Sequence, residues 1–166
     1  MNTTIKAISF FMLLIVLASC TKVRTDTLED VRPAVPVIVQ NAIDYRPEPT
    51  VGTSRLAGGA IQIVLTIPSG TGRSIKEITR VAANTSYTQI QGTATTGFYN
   101  TAPITGSGTT VTFTTSLTEY FVKKPISGSN LAAAANVELG NRFYFLLTLD
   151  DGSVLVSESV RVLVLD

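Results

Sequence analysis

The chain has 166 residues, of which 45% are hydrophobic and 15% are charged, and its formal net charge is +1. It contains one cysteine and neither histidine nor tryptophan. These counts exclude an internal disulfide, a Cys/His zinc site and catalysis by a cysteine–histidine pair. Because the charge is near zero, no nucleic-acid partner is predicted, and the composition predicts no metal, no cofactor and no enzymatic activity.

The N-terminus has the pattern of a bacterial lipoprotein signal. Lys6 precedes an apolar segment, residues 7–16, that is too short to span a bilayer. Small residues then stand before Cys20, as signal peptidase requires. We predict a signal peptide over residues 1–19 and a lipid on Cys20 that anchors the protein in the bacterial outer membrane. The alternative is an ordinary secretory signal that leaves an unpaired thiol. The residues predicted to guide the peptidase are Leu17, Ala18 and Ser19.

Residues 20–33 are predicted to form the lipidated cysteine and a flexible tether, because they are polar and lack apolar periodicity. Within them, residues 26–28 (Asp-Thr-Leu) resemble a pattern that some Gram-negative secretory systems O-glycosylate; a chance match is the interpretation that we favour. Surface-exported lipoproteins of these bacteria often have an acidic run behind the cysteine, whereas residues 21–24 contain two bases. The side of the membrane that the domain faces therefore stays open.

Period-two patterning predicts one all-β domain over residues 34–166. A first strand is predicted over 35–40, where prolines suit a sheet edge. The second, 61–67, alternates clearly and ends at the turn residues 68–72. Its core-facing residues are predicted to be Ile61, Ile63, Leu65 and Ile67.

The middle of the chain predicts three further strands. They span 76–83, with Ile78 inward, 87–92, and 109–117. Helical turns are predicted over 117–121 and 131–136. In the predicted strand 109–117, one side contains Val111, Phe113, Thr115 and Leu117.

The last third predicts a hairpin and a final strand. Residues 142–149 and 153–156 flank Asp150-Asp151-Gly152, where glycine supplies a positive φ. The final strand is predicted over 160–165. One face of the central strand is predicted to contain Phe143, Phe145, Leu147 and Leu149, while Tyr144 and Leu146 point the other way.

About seven antiparallel strands without a long amphipathic helix predict a two-sheet sandwich behind the lipidated tether. Residues 112–121 and 140–152 resemble the immunoglobulin-like or fibronectin III-like domains of outer-membrane lipoproteins associated with glycan-uptake systems. The resemblance implies an immunoglobulin-like sandwich that works beside a larger membrane receptor and is not a catalyst. Since starch-binding members carry several domains and tryptophan platforms, it does not imply glycan binding here.

Four aromatic residues form the predicted ligand site. Phe98 and Tyr99 follow Gly97, and Tyr87 or Tyr120 is expected beside them. A tyrosine ring can stack on a sugar while its hydroxyl group forms a hydrogen bond. The alternative, which we favour, is that these rings cap the end of the core.

Three other motifs have simpler interpretations. Asp150 and Asp151 are expected to point apart as turn residues, so they do not predict a catalytic carboxylate pair. The glycine pairs at 70–72 and 106–108 lack the lysine and helix of a phosphate-binding loop. Lys123-Lys124 is expected to be a solvated charge pair.

Two functional classes follow from these patterns. The first is a non-catalytic binding or accessory module of a cell-envelope complex, whose loops or sheet edge contact an envelope protein or a polysaccharide. The second is a structural subunit of a fimbrial or envelope assembly that exchanges a strand with its neighbour. Because residues 160–165 end the chain without a linker, a closed domain and the first class are favoured.

Overall fold

The structure is a computed structural model that describes residues 33–44, 46–125 and 135–166. Pro33–Asp166 forms one compact unit. The predicted signal peptide, Cys20, the tether and most of the helical turn expected over 131–136 lie outside the described residues, so they stay predictions.

The described part of the chain is mostly β. It contains a 3-10 turn, Ser69–Thr71, and two short helices, α1 (Thr88–Gln91) and α2 (Leu117–Lys123). Its ten strands are β1 (Ile38–Val39), β2 (Thr50–Thr53), β3 (Ala60–Thr66), β4 (Ile75–Asn84), β5 (Ile104–Thr105), β6 (Thr110–Ser116), β7 (Val137–Glu138), β8 (Arg142–Leu149), β9 (Val154–Val156) and β10 (Arg161–Val164).

These strands form three sheets with the orders β1-β3-β6, β2-β10-β7 and β5-β4-β8-β9. The second and third sheets meet where Phe143 and Val160 exchange backbone hydrogen bonds of 2.9 and 2.8 Å. Side chains from all three sheets share one core. The all-β class is confirmed, and the arrangement agrees with a sandwich of sheets.

The expectation of purely antiparallel strands is wrong at β10. This strand pairs in parallel with β2, with Arg161 opposite Thr50. The prediction also missed β2, because its four residues are too few for a clear alternation. Gly52 permits a close approach there, since a Cβ at this position would lie 2.9 Å from Leu165 Cδ1.

The predicted core faces of the long strands are confirmed. Alternate residues of β3 and β6 point inward because successive side chains of a strand face opposite sides, and α2 begins where β6 ends. In β8, Phe143 and its alternate neighbours are buried in the main core, whereas Tyr144 is buried in a second cluster on the other face. The inward residues of β3 and β6 are Ile61, Ile63, Leu65, Val111, Phe113 and Thr115.

Residues 87–92 do not form the predicted strand. They form helix α1, in which the Gln91 amide donates to the Tyr87 carbonyl at 3.0 Å. Tyr87 and Ile90 are three residues apart, so one helical turn brings both to the same face. That face packs on Tyr144 and Ala82, and burial of Ile90 explains the helical form.

The 150–152 hairpin forms as predicted. β8 and β9 pair antiparallel around it, and Gly152 has φ +84°. The two acids at its tip do not point apart, which corrects our expectation. Asp150 Oδ1 lies 2.9 Å from the Arg73 guanidinium, and Asp151 binds the same nitrogen. The two carboxylates therefore share one cation and hold the turn against the start of β4.

The hairpin between β5 and β6 is tied to β4. The Gly106 amide donates to the Lys76 carbonyl at 2.8 Å, and the Ile75 amide donates to the Gly108 carbonyl at 2.7 Å. A Cβ on Gly106 would lie 2.1 Å from the Ile75 carbonyl oxygen. The backbones approach so closely here that only glycine fits.

We expect Gly106→Ala to lower the free energy of unfolding by about 1–3 kcal/mol, because β4 must move away from the added methyl group. Urea denaturation would measure this as a lower midpoint at an unchanged slope. Gly140→Ala is the matched control, since no atom lies within 4 Å of the added Cβ. Equal losses in both variants would contradict the argument from close approach.

Candidate binding groove between strands β5 and β6

The four aromatic residues of the predicted ligand site lie in different environments. Tyr99 and Tyr120 are buried in the main core, with 4% and 0% of their surface exposed. Tyr87 and Phe98 are half-buried against the second cluster. Burial in the core, the alternative interpretation, therefore describes Tyr99 and Tyr120.

Tyr87 and Tyr99 lie on opposite faces of the same sheet. The Tyr87 ring contacts Tyr144 with centroids 4.5 Å apart, and the Tyr99 ring contacts Phe143 with centroids 5.3 Å apart. Tyr144 and Phe143 are consecutive residues of β8, so their side chains point to opposite sides. The four rings consequently do not form one continuous platform.

A chain of polar contacts surrounds Tyr99. Its hydroxyl group lies 2.8 Å from Thr115 Oγ1, which donates to Glu119 at 2.8 Å. Glu119 forms an ion pair of 2.7 Å with Lys123, whose ammonium group donates to the Tyr99 carbonyl at 2.6 Å. The ammonium group also lies 4.3 Å from the centroid of the Tyr99 ring. Helix α2 is therefore linked to the loop that follows Gly97.

Lys123 is the residue of this network that the sequence analysis missed. It was expected to be solvated beside Lys124, but its side chain is one-third exposed and lies over Tyr99. The signal was present in the sequence, because Glu119 and Lys123 have the i, i+4 spacing of a helical ion pair. Recognising it required α2 to extend beyond residue 121, where the predicted turn ended.

Burial raises the pKa of Tyr99 to about 12; the Thr115 hydrogen bond opposes this rise, and the charge of Glu119 adds to it. The hydrogen bond from Lys123 is the main reason why the pKa of Glu119 is lowered. The phenol therefore stays neutral where an exposed tyrosine ionises, and Glu119 stays an anion.

The raised pKa of Tyr99 predicts a loss of stability at alkaline pH. The phenol of Tyr99 ionises near pH 10 in the unfolded chain, whereas in the folded chain it keeps its proton to about pH 12. Its contribution to the free energy of unfolding is therefore complete below pH 10 and is lost as the pH rises through 12. We expect Tyr99→Phe to give a shallower fall than the unchanged chain over this range. Urea denaturation between pH 9 and 11 measures both slopes, and equal slopes would contradict the assignment.

A groove opens beside Tyr99 because β5 and β6 diverge after their shared turn. Ser107 and Thr110 still pair, but Ile104 then pairs with Ile78 of β4 while β6 pairs with β3. The resulting groove has a volume of about 330 Å³. This is the lower end of the range for ligand clefts. We call it the β5–β6 groove.

The β5–β6 groove has two walls and one charged end. The first wall is the loop 99–104, and the second contains Phe113 and Thr114 of β6. Glu119 and Lys123 close the end. Because these two charges bind each other, the groove presents mainly uncharged surface.

Asn100 fixes the loop that forms the first wall. Its Oδ1 accepts from the Val81 amide at 2.7 Å, and its Nδ2 donates to the Ala102 carbonyl at 2.9 Å. On the other side of the loop, the Arg80 guanidinium lies 4.9 Å from the Phe98 ring centroid, beside a cleft of about 160 Å³. The loop, held by these hydrogen bonds, therefore separates the groove from this smaller cleft.

The residues that the structure describes contain no cluster of three or more acidic, cysteine or histidine side chains able to hold a metal ion. Among the described helices, none combines the length and apolar character needed to cross a membrane.

Comparisons with protein-family models, curated proteins and solved structures found no match to this chain. A function must consequently be inferred from the geometry of the groove and the pattern of the sequence.

Proposed function

We propose that this chain is a lipid-anchored, non-catalytic binding module of a bacterial cell-envelope complex, and that it binds its partner in the β5–β6 groove. The observation that carries the proposal is the groove itself, an open cleft of about 330 Å³ with one wall formed by a loop and the other by a strand. In this proposal the domain is an immunoglobulin-like sandwich that accompanies a glycan-uptake receptor. The partner is an envelope protein or a polysaccharide.

The charged groups near the groove support binding rather than catalysis. Glu119 and Lys123 form an ion pair, and the lowered pKa of Glu119 makes it a poor proton donor at neutral pH. Tyr99 remains protonated and its hydroxyl group bonds Thr115. The Thr115 hydroxyl group, which donates to Glu119, is 5% exposed and also bonds Tyr99, so it holds the groove in shape and does not face a substrate.

The proposed anchor limits where the partner can be. Between Cys20 and Pro33 about a dozen residues form the predicted tether, and a flexible chain of that length has an end-to-end distance of about 20 Å. The domain would therefore stay close to the lipid surface. A protein or glycan at the same membrane surface is the partner that this distance favours.

The structural-subunit alternative receives less support. Strand exchange needs a terminal strand that can leave the fold, yet β10 lies between β2 and β7. Its residue Val162 is fully buried. Removing β10 would break two strand pairings, which favours the closed binding module.

The test is a capture experiment with the full chain in detergent and solubilised envelope from the native cell, together with a polysaccharide affinity gel. Ala102→Trp fills the groove from its exposed wall, and Gln91→Trp adds the same bulk at an exposed position on α1. We expect Ala102→Trp alone to reduce binding at least tenfold. Equal binding by both variants would remove the groove from the proposal, and a ladder of self-assembled species would favour the structural subunit.

A further inference from the structure

We propose that the β5–β6 groove takes an extended peptide segment of a partner protein, which adds as a further strand to the free edge of β6. This inference depends on the proposed binding function and specifies the chemistry of the partner. It follows from the direction of the β6 backbone groups, from the residues along the free edge and from the cations that lie over the nearby aromatic rings.

Two hydrogen bonds at the ends of the β3–β6 pair show which residues of β6 face β3. The Ile67 amide donates to the Thr109 carbonyl at 3.0 Å, and the Leu117 amide donates to the Gly59 carbonyl at 2.8 Å. Antiparallel pairs alternate between hydrogen-bonded and non-bonded positions. The odd-numbered residues of β6 therefore bond β3, and the backbone groups of Thr112 and Thr114 point away from it.

The partners of Thr112 and Thr114 on β3 confirm this alternation. Val64 stands opposite Thr112, and Gln62 stands opposite Thr114. Both turn their backbone groups toward the other side, where the Asn41 side chain accepts from the Val64 amide at 2.9 Å and donates to the Gln62 carbonyl at 2.8 Å. Within the described part of the chain, no partner is found for the amides and carbonyls of Thr112 and Thr114.

The free edge of β6 lacks the features that protect sheet edges from pairing. Proteins commonly place charges, proline or a bulge on exposed edge strands. The seven residues Thr110–Ser116 contain neither a charged residue nor proline, and their register with β3 is regular. Such an edge is a template for an added strand.

The opposite wall of the groove cannot form the same ladder. Pro103 has no amide hydrogen, and Ile104 already pairs with Ile78. An inserted peptide would therefore bond β6 and pack its other side against the loop 99–104. Alternate side chains of the inserted peptide would point to the same face as Phe113. We therefore expect apolar residues at every second position of the peptide, one of which would contact Phe113.

The aromatic rings beside the groove favour a peptide over a sugar. Sugar stacking needs an open ring face, but the Lys123 ammonium group lies 4.3 Å from the centroid of Tyr99. In the smaller cleft on the other side of the loop, the Arg80 guanidinium is similarly placed at 4.9 Å from the centroid of Phe98. Unpaired backbone groups in strand register instead match another backbone.

The first test uses hydrogen exchange by NMR on the full chain without a ligand. We expect the amides of Val111, Phe113 and Thr115 to exchange slowly, because they bond β3, and those of Thr112 and Thr114 to exchange rapidly. Uniformly slow exchange along β6 would show that the edge is already occupied and would overturn the inference.

The second test selects binders from a library of random twelve-residue peptides displayed on phage, with the full chain in detergent as the target. We expect the selected peptides to slow exchange at Thr112 and Thr114. Thr114→Pro removes one edge donor without removing a β3 bond, so it should weaken peptide binding about tenfold. Val154→Pro is the control, because it makes the same change at an exposed residue of another edge strand, β9.

The outcomes separate this inference from the proposed function. Peptide binding weakened by both Thr114→Pro and the groove-filling Ala102→Trp supports strand addition, and the second variant covers the case in which proline disturbs the fold. Peptides that protect β9, or retardation by a glycan without peptide binding, would overturn strand addition while leaving a binding module. Absence of envelope, peptide and glycan binding would overturn both proposals.

Discussion

Phe143→Ala should lower the free energy of unfolding by about 3–5 kcal/mol, the usual loss when a fully buried aromatic side chain is truncated. Phe143 has no exposed surface. Its ring contacts Tyr99 and Phe113 at centroid distances of 5.3 and 5.4 Å, and Tyr120 at 6.0 Å. Because these rings come from a loop, from β6 and from α2, the resulting cavity would face all three.

Denaturation in urea at neutral pH measures the effect as a lower midpoint. Phe121→Ala is the matched control, since Phe121 has the same side chain but is only partly buried on α2. Its loss should be clearly smaller than that of Phe143→Ala. A loss below about 1.5 kcal/mol for Phe143→Ala would show that the core collapses around the cavity or that the ring is not central.

The parts of the fold that were predictable are the long strands with a complete alternation. In β3, Ile61 and its alternate neighbours gave the correct buried face, and in β8 the opposite directions of Phe143 and Tyr144 were also correct. This succeeds because a period of two over seven or eight residues fits a strand far better than a helix.

The errors occur where tertiary contacts outweigh a short local pattern. Residues 87–92 became helix α1 because Ile90 is buried against Tyr144, and the parallel β2–β10 pair joins segments more than one hundred residues apart. Neither contact has a local sequence signal. Asp150 and Asp151 converge for a similar reason, because Arg73 lies across the hairpin from a distant part of the chain.

The candidate site was only partly predictable. The sequence drew attention to the segment around Phe98 and Tyr99, but the environment of each ring depends on how it packs. The groove arises because β5 pairs with β4 while β6 pairs with β3. Whether two strands diverge after a turn depends on which strands they pair with elsewhere in the fold. The sequence of the hairpin alone does not contain that information.

Attachment of the lipid anchor is predicted to depend entirely on Cys20. Cys20→Ala removes the only cysteine of the chain, so no thioether bond to a lipid can form. Each buried methylene adds about 0.8 kcal/mol of membrane affinity, and a single myristoyl chain binds only marginally, whereas two or three chains anchor a domain stably. The change should therefore convert a firmly anchored protein into an unprocessed one.

Expression in a Gram-negative host with a radiolabelled fatty acid measures this effect. We expect complete loss of label in Cys20→Ala and accumulation of a precursor that keeps residues 1–19. Ser19→Ala is the matched control, because alanine preserves the small residue beside the cut and should leave the label unchanged. A chain that is cleaved without ever being labelled would identify an ordinary secretory signal. In that case the groove would act in a released domain, and the tether would no longer keep that domain and its partner close to the membrane.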